Sequence, residues 1–137
     1  MKIWQGYGSE HSANLVMIGK FKEVADATIA KQIIERLTEQ VNADVDSKQL
    51  VIGDIRDRFT DEMLTLLNEV RVHSFSPLEL EQFAYDVDVK LEENRIIITT
   101  DEIDISAFLK VLLDKGARVE VYSAHVYSDT DYGRGKR

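Results

Sequence analysis

The sequence predicts an α+β fold of ferredoxin-like type, βαββαβ: one antiparallel sheet with helices on one face and a helical pair inserted at about residues 60–84. Three observations lead there. Segments with strand and helix periodicity follow one another as strand, helix, two helices, strand, strand, helix, strand. The strand segments differ in kind, some nearly continuous in apolar residues and one strictly alternating. The chain has 137 residues, 44% of them hydrophobic, enough for one compact domain, because a chain of this size buries roughly two-thirds of its unfolded surface.

"ANLVMIGKF" (13–21) is an almost unbroken apolar run, the pattern of a strand buried on both faces and so placed mid-sheet. Ala27, Ala30, Ile33, Ile34, Leu37 and Val41 then recur at three- and four-residue steps opposite Lys31, Glu35, Arg36 and Glu39. That is an amphipathic helix, with Asp26 as the expected cap. "NADVDSKQ" (42–49) has turn composition, and "LVIGDI" (50–55) reads as a short strand or a packed connection.

Two helix starts follow. Thr60 precedes Asp61 and Glu62, so a cap is followed by negative charge in the first turn, and Phe59 is expected to staple onto Leu64. Ser76 and Glu79 have capping-box spacing, Pro77 suits the first helical position, and Phe75 is expected to pack on Leu80. "YDVDVKL" alternates Tyr85, Val87, Val89 and Leu91 against Asp86, Asp88 and Lys90, which gives a strand with one wet face. "EENR" turns it into the more buried "IIITT", so the two strands form a hairpin. A further helix carries Ile105, Phe108, Leu109, Leu112 and Leu113 on one stripe, with Asp104 or Ser106 as cap and Gly116 as stop. "ARVEVYSAHVY" (117–127) is the last strand. "KIWQGYG" (2–8) is a possible extra edge strand, and residues 132–137 read as a solvated basic tail.

Composition excludes several functions. There is no cysteine, so disulfides, thiolate metal sites and cysteine nucleophiles are out, which suits a reducing cytoplasmic compartment. No window approaches the ~18 uncharged apolar residues of a membrane span. With 25 acidic and 17 basic residues the formal charge is −8, which repels a phosphate backbone. The central strands also lack the aromatic platform that plaits use for RNA, so no nucleic-acid partner is expected.

The chemistry-bearing stretch is "GYGSEHS" (6–12). In a plait the first and last strands are antiparallel neighbours, which brings Tyr7, Ser9, Glu10 and His11 toward His125, Tyr127, Asp129, Asp131 and Arg134. His11, Glu10 and His125 are the candidate acid–base groups, and Tyr7, Ser9, Tyr127, Asp129, Asp131 and Arg134 the candidate ligand contacts. No histidine pair has the i, i+4 spacing of a metal site, and Gly6 and Gly8 are followed by neither the lysine nor the helix of a phosphate loop, so neither metal nor cofactor is expected. The bland alternative is a glycine-permitted turn leading into the first strand.

Taken together, these features predict a small acidic interaction or regulatory module that self-associates or joins a larger assembly, because an open sheet has edges to be paired or guarded. A small-molecule-binding protein or small enzyme using residues 6–12 and 123–134 is the alternative. A third is an acidic inhibitor of a basic partner.

Overall fold

Four six-residue segments make one sheet: β1 (Leu15–Lys20), β2 (Val87–Glu92), β3 (Arg95–Thr100) and β4 (Arg118–Ser123). The structure is a computed structural model that describes residues 14–54 and 58–123. The strand order is β2-β3-β1-β4, and every neighbouring pair is antiparallel. The molecule is thus an α+β protein with an open four-stranded antiparallel sheet. β1 is a central strand, but it is not buried on both faces as its apolar run predicts: Leu15, Met17 and Gly19 are buried, while Val16 and Ile18 are half-buried and Lys20 is exposed.

One sheet face is covered. Met17, Ile96 and Ile98 join a buried cluster with Ala30, Ile34 and Leu37 of α1 (Val24–Asp46) and Phe108, Val111 and Leu112 of α3 (Ser106–Asp114). Val87, Val89, Leu91, Val119 and Val121 pack against its rim, half-buried because they lie on edge strands. At Gly19 a Cβ would stand 2.9 Å from Leu112 Cδ1, so the missing side chain is what lets α3 settle this close to β1.

The helices depart from expectation in four places. First, α1 runs on through "NADVD", which reads as a turn by composition. Asp44 is 3% exposed, and its carboxylate accepts hydrogen bonds from Gln40 Nε2 at 3.0 Å and Thr60 Oγ1 at 2.9 Å. A partner one turn back on the same helix and a second from outside it, Thr60, thus hold a loop-forming residue in the helix. The N-cap of α1 is Glu23, and Asp26 lies in the first turn instead of capping.

Second, in α2 (Asp61–Val70) Thr60 caps as expected, accepting from the Met63 amide at 3.0 Å. Leu64 is exposed, and Phe59 packs on the main core. Third, the helix after Pro77 is a 3-10 helix, Leu78–Ala84. Its capping box forms, with Ser76 N to Glu79 Oε1 at 2.9 Å and Glu79 N to Ser76 Oγ at 3.3 Å. Fourth, α3 is preceded by Ile105 with no side-chain cap, and neither Asp104 nor Ser106 serves. The side-chain carbonyl of Gln82 accepts the Ala107 amide at 2.7 Å instead, a cap supplied from the 3-10 helix. Leu113, assigned to the buried stripe by spacing, is exposed, and Val111 takes its place.

Residues 50–54 form a connection and no strand: Leu50 is buried, Val51 and Ile52 are exposed, and Gly53 has φ +90°. Gly116 ends α3 at φ +96°. The hairpin turns at Glu93 and Asn94, and Asn94 Nδ2 donates to the Phe21 carbonyl at 2.7 Å, clasping the turn to the exit of β1. The possible edge strand 2–8, the end of the last strand and the tail at 132–137 lie outside the described residues.

Candidate functional site

The second face of the sheet carries side chains that no described helix covers. Val16, Ile18 and Ile97 are half-exposed and have no place in the core cluster, although each is an aliphatic residue on a central strand. Strand alternation sends them outward with Lys20, Thr99, Arg95, Asp88, Lys90, Glu92, Arg118, Glu120 and Tyr122.

The register arranges these side chains in rows. Glu92, Arg95, Lys20 and Arg118 form the first, from β2 across to β4. Lys90, Ile97, Ile18 and Glu120 form the second, and Asp88, Thr99, Val16 and Tyr122 the third. The centre is aliphatic and the two edge strands are charged. A shallow depression of about 510 Å³ lies at the end of the first row, lined by Ile18, Lys20, Arg95, Arg118, Val119 and Glu120.

In the first row three cations occupy successive register positions, in a chain whose net charge is −8. Like charges directly opposite one another across strands are destabilising. Arg95 is relieved by Glu92, with its guanidinium 3.2 Å from the carboxylate. The arrangement can attract carboxylate or another anion and can bury the aliphatic centre beneath a flat partner.

A second polar cluster lies behind the sheet. Glu79 accepts Ser106 Oγ at 2.6 Å and Lys110 Nζ at 2.6 Å, and Gln82 Nε2 donates to Ser106 Oγ at 3.1 Å. Lys110 also donates to the Ser74 carbonyl at 2.7 Å. The Glu79 carboxyl is desolvated, which raises its pKa, but hydrogen bonds from Lys110, Ser106 and the Ser76 amide outweigh burial and hold it below the ordinary glutamate value. These groups tie the 3-10 helix to the start of α3, and Ser106 is engaged on both sides by that task.

All the residues singled out from sequence, Tyr7, Ser9, Glu10 and His11 on one side and His125, Tyr127, Asp129, Asp131 and Arg134 on the other, lie outside the described residues. What is described is where their segments join the sheet: Leu15 is the register partner of Ser123, so both leave from the same end of neighbouring strands. Of the open-face residues, the alternation in β2 already marks Asp88 and Lys90 as outward, whereas Val16, Ile18, Lys20, Arg95, Ile97, Arg118 and Glu120 were not singled out by the sequence.

Among the described residues, fold and face define an α+β protein with an open four-stranded antiparallel sheet, backed by helices on one side and covered by no described element on the other. The chain matches the model of a family of unknown function, DUF6375, over residues 1–134, and it belongs to that family. No curated protein and no solved structure matches it.

Proposed function

We propose that this protein is an interaction module that works by binding, and that its open sheet face takes a second copy of the same chain. The observation that carries this reading is the aliphatic centre Val16, Ile18 and Ile97 on the uncovered face, framed by charges on both edge strands. Burying such a centre is favourable by about 25 cal/mol per Å². Four strands at ~4.8 Å and six residues at ~3.3 Å give the face a projected area of roughly 400 Å². A stable interface buries about 800 Å² per partner, so the pairing is expected to be dissociable.

The fold itself we read as a ferredoxin-like plait with α2 and the 3-10 helix inserted before β2. The strand order supports this, together with the positions of α1 and α3 in the two crossovers. No described helix is long and apolar enough to cross a membrane, and a chain without cysteine suits a reducing compartment.

Sedimentation equilibrium tests the reading. The mass is expected to rise with concentration, and Ile18→Glu, with its fold checked by circular dichroism because the new carboxylate stands opposite Glu120, is expected to abolish the rise. A wild-type chain that stays monomeric at about 1 mM, or an Ile18→Glu variant that associates equally well, overturns it.

A second reading is favoured by the Leu15–Ser123 register: a ligand site formed by residues 6–12 and 123–134 at that end of the sheet.

A further inference from the structure

We infer that the two copies meet face to face about a two-fold axis that runs parallel to the strands, between β1 and β3. This rests on the reading of the open face as a self-association surface, and it adds the orientation that the face dictates.

The outward side chains of the two edge strands are complementary in sequence order. Along β2 they are Glu92, Lys90 and Asp88, and their row-mates on β4 are Arg118, Glu120 and Tyr122. A rotation about the proposed axis reverses each row over itself. Lys90 then faces the second copy's Glu120, and Glu92 faces the second copy's Arg118, each contact occurring twice. In the middle of the second row Ile97 faces Ile18, so the aliphatic centres coincide. The third row sets Asp88 opposite a phenol.

A two-fold that lies across the strands along the second row does the reverse. It sets Lys90 over Lys90, Glu120 over Glu120 and Glu92 over Asp88, all of like sign. Charge therefore distinguishes the two arrangements. The adverse contact in the favoured arrangement, Arg95 over Lys20, also occurs twice, and it is moderated because Arg95 is already bound to Glu92.

Packed sheets sit ~10 Å apart and are turned by about 30°, a displacement that lysine, arginine and glutamate side chains can span.

The test is a charge swap read by the dimer dissociation constant. Lys90→Glu and Glu120→Lys are each expected to weaken the dimer about ten-fold or more, because each turns two attractive contacts into repulsive ones. The double variant K90E/E120K is expected to return to within about three-fold of wild type. Within one chain the two residues are three strand spacings apart, ~14 Å, so the rescue cannot be internal. Both residues are exposed, and circular dichroism of each variant checks that the fold is retained. A dimer that neither single variant weakens overturns the orientation and leaves self-association standing. A strict monomer overturns both, including the case in which residues 1–13 or 124–137 of the same chain occupy the face.

Discussion

Thr60 serves two helices with one hydroxyl. It accepts the Met63 amide at the start of α2 and donates to the carboxylate of Asp44 at the end of α1. Thr60→Val keeps the shape and removes both bonds. It is expected to cost about 2 kcal/mol, from a lost cap together with a buried carboxylate deprived of a donor. A urea titration checks this: the midpoint falls with an unchanged slope, and Thr60→Ser recovers most of the loss. Half of this role is legible in the sequence, because Thr60 before Asp61 and Glu62 is a capping signal. The other half is not, since nothing local says that Asp44, 16 residues earlier, is buried and waiting for the same hydroxyl.

At the level of elements, the 3-10 helix and α3 behave as one unit. Gln82 caps α3, while Glu79 holds Ser106 and Lys110. Glu79 binds its proton more weakly in the folded protein than in the unfolded chain. Its contribution is therefore complete above the unfolded value of ~4.3 and is lost as pH falls through the lower folded value. Glu79→Gln is expected to lower stability at pH 7 and to flatten the acid side of the stability profile below about pH 4.3. Thermal melts from pH 7 to pH 3 on both proteins measure it; parallel profiles would contradict the assignment. Elements whose apolar period is strong were readable: β1, the first part of α1, the hairpin and the stop at Gly116. Where sequence reasoning failed at the end of α1 and the cap of α3, the decisive partners, Thr60 and Gln82, came from outside the helix, which a local period does not encode.

For the whole molecule, the sheet register does two things that sequence could only half suggest. It sets the departures of residues 1–13 and 124–137 side by side, as the order of elements predicts. It also lines up Glu92, Arg95, Lys20 and Arg118, drawn from four separate segments, and no single-chain pattern gives that alignment. If the end of the sheet near Leu15 and Ser123 is a ligand site, His11→Ala and His125→Ala are expected to shift ligand-induced stabilisation in a small-molecule thermal screen without moving the melting temperature of the free protein. An equal loss of stability without ligand would mark both histidines as packing residues.

Gly19 gives the bare face a further property. With Leu112 seated against the β1 backbone at Gly19 and Asn94 fastening the hairpin to Phe21, the sheet is braced at the end nearest the hairpin. A plate braced in this way is already in its docking shape before anything touches it. An incoming copy would surrender its tumbling and a few long side-chain rotamers but almost no backbone freedom, and for so small a contact that saving is what makes recognition feasible.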